Sequence, residues 1–403
     1  MFRKTGILPI WTAVVVAATL AVSSAKAQPQ DPRSLGFKKQ FVIEIRNPSS
    51  LTLENHPIVL SVDEIRAFEP DFNSYNFAIF DETGGDYRLV LSQADDLNGD
   101  RIHDEIVFVR TLPPTSTTKL ACYFSPKGTF QLMMSAPKAA ARLVGTRASG
   151  GLGWESNLAA FKVVNGRVEV YGKLYAGLIL TKLPADDAIL QEWGLNILGS
   201  GGTPGLGGLS LWAGKTRIPL SGGAAAAPEC RVQRTVLASG PLRALVKAEY
   251  SGIRPGQGDY GAIVLYSAWA DNVFSRQDVL ITGRAGAPAM VSVDVQKLSD
   301  EAVTFDKDKG FLASWGRGSA LAGEVGLAAL FAPADLAGLD EGSLDRSIKL
   351  HVKPGKKQTF WSAGGWGRGI VTAAAPAGKT WALMMGELGL RLRVPIEVRY
   401  KAR

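Results

Sequence analysis

Between residues 36 and 128 the chain runs in short apolar, β-branched or aromatic stretches broken by turn residues: KKQFVIEIRN, HPIVLSV, NFAIFDE, YRLVLSQ, DEIVFVRTL and TKLACYFS. Stretches of this length and spacing predict an antiparallel all-β domain over 36–128. The rhythm resumes in AAFKVVNGRVEVYGKLY, where Asn165 and Gly166 sit between two alternating runs and predict a two-residue hairpin. It continues through GPLRALVKAEYSGI, YGAIVLYSAWADN, FSRQDVLITG and MVSVDVQKL. A large antiparallel β-sandwich over 153–403 is expected, with the Ala- and Gly-rich residues 129–152 as a linker. The Gly-rich residues 199–223, which contain Leu211 and Trp212, read as a loop lining a pocket. Only KTWALMMGELGLRLR, near the C-terminus, has a helical character.

The first residues give an address. MFRK is a short basic start, residues 7–22 are apolar, and AKA ending at Ala27 has the form of a signal-peptidase site, so 1–27 reads as a cleaved secretory signal. The expected location is periplasmic or extracellular, with no membrane partner after cleavage. About 375 mature residues suffice for two domains. The formal charge of +8 falls by three when Arg3, Lys4 and Lys26 leave with the signal. A basic exported protein attracts anionic ligands, acidic polysaccharides foremost. No Lys/Arg-dense run points to nucleic acid. Cys122 and Cys230 are the two cysteines; export permits a disulfide, their separation does not decide it, and a CxxC site is excluded.

Two stretches carry candidate chemistry. In DDLNGDRIHDEIVF, Asp96, Asn98, Asp100 and Asp104 occupy relative positions 1, 3, 5 and 9, a hard-oxygen spacing suited to a structural calcium ion. Arg101 stands where such loops use Gly, and no helix pair flanks the loop, so a metal-free acidic turn is the alternative. No cofactor is expected for catalysis. In GWESNLAAFKV, Trp154 offers a ring to a sugar face while Glu155 and Asn157 bind hydroxyls or move protons. Tyr171 and Lys173, two apart on the facing strand, could share that cleft. The structural alternatives are a core Trp, a structural ion pair and ordinary cross-strand pairing. Trp193, Asn196, Trp212 and Trp366 lie beside Gly-rich turns, as saccharide platforms and core Trp residues both do, with two of the three Trp expected in the core. Arg368 in GGWGRG suits a bidentate carboxylate clamp. His56, His103 and His351 do not cluster in sequence, and no Ser-His-Asp set, P-loop or dinucleotide fingerprint is present.

The segments GLGWESNLAAFKVVNGRVEVYGK, EWGLNILGSGGTPGLGGLSLWAGK, VLASGPLRALVKAEYSGI and TFWSAGGWGRG, with the acidic loop before them, together resemble domain-of-unknown-function family 4861 over nearly all of the mature chain. The loop before GWES reads TRASGGLG, where the resemblance implies a His, and the stretch between Trp366 and Trp381 is short. The resemblance implies an exported bacterial protein tied to polysaccharide breakdown; a described member is a dehydratase acting on ulvan oligosaccharides. The N-terminal part also resembles the small β-barrel that precedes the sandwich in some rhamnogalacturonan lyases. The expectation is therefore a barrel-like N-terminal domain, a β-sandwich, and a carbon–oxygen lyase acting on uronate-containing oligosaccharides. Glu155, Tyr171 and Lys173 are expected in catalysis, and Trp154, Asn157, Trp193, Asn196, Trp366 and Arg368 in substrate binding. A non-catalytic carbohydrate-binding protein and a glycoside hydrolase are the alternatives; the latter needs two opposed carboxylates, and no such pair stands out.

Overall fold

Alternating apolar positions can be buried only if each strand finds a partner sheet, and the described residues build five. The computed structural model describes residues 31–130, 136–145, 150–183, 189–199, 201–220, 230–254, 259–283, 290–352, 355–374 and 376–403; the expected signal at 1–27 lies outside them. The fold is nearly all β, with two α-helices, Val62–Phe68 and Ala377–Leu392, among the described residues.

The N-terminal domain pairs Lys39–Asn47, Ser116–Phe124, Phe77–Asp81 and Arg88–Val90 in one sheet. A three-stranded sheet of Leu53–Ser61, Glu105–Leu112 and Gln93–Asp95 packs on it. Phe41, Ile43, Ile58, Leu60 and Phe108 fill the space between them. Among the described residues no sheet closes into a barrel, so the barrel-like expectation gives way to two facing open sheets. The open edge at Lys39–Asn47 is covered instead by Glu397–Ala402, which pairs antiparallel with it from the far end of the chain. A strand from within 153–403 thus belongs to the N-terminal sheet.

The larger part centres on an eight-stranded antiparallel sheet in the order Arg231–Ser239, Arg243–Ile253, Tyr260–Trp269, Phe274–Gly283, Gln358–Trp366, Glu324–Leu330, Phe311–Arg317, Ser299–Asp306. Two five-stranded sheets pack on its inner face. One runs Ala139–Val144, Gly151–Ser156, Ala160–Val164, Arg167–Lys173, Gly194–Asn196. The other comprises Thr216–Pro219, Leu206–Ala213, Met290–Gln296, Asp345–His351 and Leu336–Glu341. Their common core includes Phe161, Val170, Leu209, Val264, Ile281, Val293 and Phe360.

The hairpin turns as its residues dictate: Asn165 and Gly166 both have positive φ (48° and 78°), the backbone a two-residue type I′ turn needs. The Ala- and Gly-rich stretch is more than a linker, since 139–144 is the edge strand paired with Gly151–Ser156; 131–135 and 146–149 lie outside the described residues. The Gly-rich stretch is likewise a correction. Leu206–Ala213 is a core strand in which seven residues are buried, because small residues let it approach the large sheet closely; residues 200 and 221–229 lie outside the described residues. The predicted C-terminal helix is present, and it docks on the outer face of the large sheet through Trp381. Gly326 and Gly365 make room for that ring: a Cβ would come within 2.6 Å and 2.8 Å of it. Cys122 and Cys230 are buried in separate cores and unpaired.

The N-terminal domain sits on the rest of that outer face. Val107 packs with Trp269, Phe274 and Trp361. Beside this contact, buried Arg243 reaches Asp95 at 2.5 Å and Glu105 at 2.6 Å, and stacks over Trp269. Gln93 accepts from the backbone N–H groups of Leu242 and Arg243, at 2.9 Å each. Removing one partner of a buried, hydrogen-bonded ion pair leaves an uncompensated charge and costs about 3–5 kcal/mol. Arg243→Met is therefore expected to lower stability by that order, read as an earlier urea midpoint, while Lys247→Met, on the same strand but solvent-facing, changes it little.

Candidate functional site

The strands Gly151–Ser156, Ala160–Val164 and Arg167–Lys173 pair so that Glu155, Ala160 and Tyr171 lie in one cross-strand row, with Asn196 next to Tyr171. Glu155, Tyr171, Lys173, Trp193 and Asn196 are thus gathered on one face of this sheet. All five are buried, because the segment after Lys173 folds back over them and packs Ile179 and Trp193 against Tyr171. Glu155 and Lys173 meet at 2.7 Å and are 1 % and 2 % exposed. The remaining hydrogen-bonding capacity of the pair is used within the chain. Lys173 donates to the carbonyls of Ser156 (2.7 Å) and Gly177 (2.6 Å). Glu155 accepts from the N–H groups of Ile179 and Leu180. Burial pushes the Lys173 pKa down, with Glu155 opposing it. The pair holds the covering segment in place. The catalytic role expected of these two residues rests on sequence, and the structure gives both this second employment. The Tyr171 hydroxyl donates to Glu169 at 3.2 Å, and Glu169 also meets Lys162 at 2.8 Å.

The expected binding residues divide by location. Trp154 is core: it stacks on Phe161, lies tilted against Tyr266 and donates to the Ser275 hydroxyl at 2.9 Å. Trp193, Trp212 and Trp366 are all buried, one more than expected. Asn157 braces the turn at Asp271, exchanging hydrogen bonds at 2.8 and 2.9 Å with a residue of positive φ. Asn196 accepts from the N–H of Leu198. Arg368 alone is exposed; it lies over the Trp366 ring and donates to the Leu321 carbonyl. Its turn packs on the end of the Lys173 strand, where Ile370 N–H donates to the Lys173 carbonyl at 2.9 Å.

The acidic loop connects Gln93–Asp95 to Glu105–Leu112, beside the ion pairs of Arg243. Asp96 accepts from the N–H groups of Asn98, Gly99 and Arg101. Desolvation works against its charge, but these N–H donors hold its carboxyl below the usual range. Asn98 and Asp100 each accept from the N–H two residues on, and Asp104 from that of Leu97. Arg101 has φ 67°, the left-handed conformation that calcium loops assign to Gly at this position. Among the described residues no three His, Cys, Asp or Glu side chains converge as a metal site.

A further feature was not anticipated from sequence: the outer face of the eight-stranded sheet. Register sets its rows. Arg243 and Trp269 pair beneath the N-terminal domain. The next outer row is Leu245, Ser267, Arg276 and Trp361, and the one after it Lys247, Leu265, Asp278 and Thr359. Arg276 and Lys357 both reach Asp278, at 3.1 and 3.4 Å, and Thr359 donates to it at 2.6 Å. Farther along lies a cavity of about 730 Å³ lined by Arg231, Gln233, Glu249, Ser251, Tyr260 and Thr282 among others. This face is a charged track with the N-terminal domain as a wall at one end. In sequence its residues are the polar half of ordinary alternating strands, which solvent-facing positions produce anyway.

Comparison with known proteins bears on family and fold. The model of a domain of unknown function, DUF4861, matches residues 45–398. No curated protein matches. Among solved structures, the chain is similar to a protein in the glycosyl hydrolase family 38 from Enterococcus faecalis, with a TM-score of 0.52 at 8 % identity over 91 % of this chain and 48 % of that one. It also aligns with an α-mannosidase from Enterococcus faecalis V583, with a TM-score of 0.45 at 8 % identity over 91 % of this chain and 46 % of the other. The chain therefore spans about half the length of either.

The buried pair yields a stability prediction. Glu155→Gln leaves Lys173 without a counter-charge and is expected to cost about 3–5 kcal/mol. Adding Lys173→Met to it should recover part of that loss, because the double variant buries no unpaired charge. Urea unfolding of the two single variants and the double variant measures the coupling.

Proposed function

The chain belongs to the DUF4861 family, and from that membership we propose that it is an exported carbohydrate-active enzyme, a carbon–oxygen lyase that removes water from a uronate-containing oligosaccharide. The observation that carries this reading is the charged outer face of the eight-stranded sheet. A saccharide is long, flat and rich in hydroxyls, and a pleated strand face with alternating polar side chains offers it donors and acceptors along its length. The cations on that face, Arg231, Lys247, Arg276 and Lys357, suit substrate carboxylates. Dehydration beside a carboxylate needs three things: a base for the proton, a proton for the departing hydroxyl, and a cation that quiets the carboxylate as charge builds on its neighbouring carbon.

Incubation with uronate-containing oligosaccharides followed by mass spectrometry tests the reading. The expected product is lighter by one water and has a new double bond. New reducing ends with unsaturation would mean a chain-cleaving lyase, new reducing ends without it a hydrolase, and binding without turnover a carbohydrate-binding module; each outcome replaces the proposal.

Calcium remains part of the proposal as a structural ion at Asp96, Asn98, Asp100 and Asp104. The hard-oxygen donor set and the left-handed backbone at Arg101 support it. Asp96 Oδ1 is filled by two N–H groups, but Asp96 Oδ2, Asp100 Oδ1 and Asp104 Oδ2 each accept one N–H and keep a further acceptor site. Calcium added to chelator-treated protein is expected to raise the melting temperature, and Asp100→Asn to remove most of that rise. An unchanged melting curve would leave the loop as a turn.

A further inference from the structure

We propose that the crevice where the N-terminal domain meets the outer face of the eight-stranded sheet is the reacting end of this site, with Arg276 binding the substrate carboxylate and His56 taking the proton beside it. The inference rests on the reading above and adds the residues that would perform it.

Geometry leads to this place. Phe274 lies under the N-terminal domain, packed with Val107 and Trp361. Arg276 is two residues along the same strand and on the same face, so it emerges at the rim of that cover, opposite Trp361 in the ladder. Its side chain is 32 % exposed, which leaves the guanidinium reachable while one edge is held by Asp278. The N-terminal domain approaches here through a distorted stretch of backbone. The ladder between Leu53–Ser61 and Glu105–Leu112 shifts register between Leu53 and His56, and Asn55 has φ 45°. The carbonyl of Asn55 accepts from Asn272 of the large sheet's turn at 3.0 Å. A bulge of this kind re-aims the side chain that follows it, and such bulges gather beside functional sites.

The re-aimed side chain is His56. It is 9 % exposed, and among the described residues its ring has no hydrogen-bond partner. Its ring nitrogens are not among the fully buried atoms that lack a partner, so they keep an edge to solvent through which a ligand can reach them. The other cation near it in its own domain, Arg110, is opposite it in the ladder and is committed to Asp81. Burial, and after it the charge of Arg276, lowers the His56 pKa to about 4. The ring is therefore neutral at pH 7 but a weak base in the free protein, and a substrate carboxylate bound at Arg276 would offset the charge that weakens it. The chemistry closes without a co-reactant. The carbon beside the carboxylate gives its proton to the imidazole and its electron pair to a new carbon–carbon double bond. The hydroxyl on the next carbon departs and takes that proton back, so one water leaves and His56 returns neutral.

The chain has three histidines, so their ring resonances can be followed separately by NMR. Titration with glucuronate is expected to move the His56 signal saturably, leave His103 and His351 in place, and lose its effect in Arg276→Met. On an oligosaccharide that the wild type dehydrates, His56→Gln should lower kcat by about a hundredfold or more with KM little changed, whereas Arg276→Met should raise KM. A His56 signal indifferent to glucuronate, or wild-type turnover in a folded His56→Gln protein, overturns the assignment while leaving the dehydratase reading intact. A saturable His56 shift in a protein that dehydrates no uronate removes the elimination chemistry and leaves a uronate-binding crevice.

Discussion

The arrangement of the molecule turns on Arg243. A guanidinium buried between two domains must be neutralised and hydrogen-bonded where it stands, and Asp95 and Glu105 do this from the N-terminal domain. The pairing is directional. Gln93 fixes the adjacent backbone at the same time, so the domain is held in one orientation on the large sheet rather than resting on an apolar patch. With Val107 seated against Trp269, Phe274 and Trp361, the domain's cover ends within the row that Trp361 shares with Arg276. The wall of the proposed cleft, and the approach of His56 to the sheet, follow from that lock. The acidic loop begins at the residue after Asp95, so its shape is tied to the same contact.

The two faces of the sandwich divide the labour. The inner face of the large sheet supplies the core. The outer face is buried at one end by the N-terminal domain and by Trp381 of the C-terminal helix, and stays charged elsewhere. The small sheet that carries Glu155 and Lys173 has an outer face too, but the segment after Lys173 folds over it. A buried Glu–Lys pair there is consistent with specificity of packing: it accepts the backbone N–H groups of Ile179 and Leu180 and no apolar pair could do so. Membership of the DUF4861 family covers both domains, so the contact between them lies within the matched unit.

Much of the local structure was legible before any coordinates. Asn165 and Gly166 announced their turn because both positions need positive φ, and the residues flanking them paired as the alternation required. Position 101 was less plain: Arg stands where the acidic spacing wants Gly and so counted against the match, yet its backbone is left-handed. Family membership, too, could be read from segments such as GLGWESN and GGWGRG. The site was less legible. Trp154, Trp193 and Trp366 look alike in sequence whether they stack on a sugar or fill a core, since an indole serves either purpose. Glu155 and Lys173 converge as their strand positions imply, but the segment that covers them is set by packing.

What the sequence by itself determined was local: most of the strands, though not Leu206–Ala213 or Ala139–Val144, which way their side chains alternate, where the hairpin turns, and the helical character of residues 379–393. Period and turn chemistry are properties of neighbouring residues, so they survive without knowledge of the fold. What only the tertiary structure decided was which polar faces stay open. Arg276 and Glu155 are each an ordinary charged residue on an alternating strand; one lies at the rim of a domain contact and the other beneath a folded-back segment. His56 gives no signal at all in HPIVLSV. Its meaning comes from a register shift at Leu53–His56 and from the sheet brought up to it by Arg243, over 180 residues away in the chain. Burial and long-range pairing are relations between distant segments, and no window of sequence contains them.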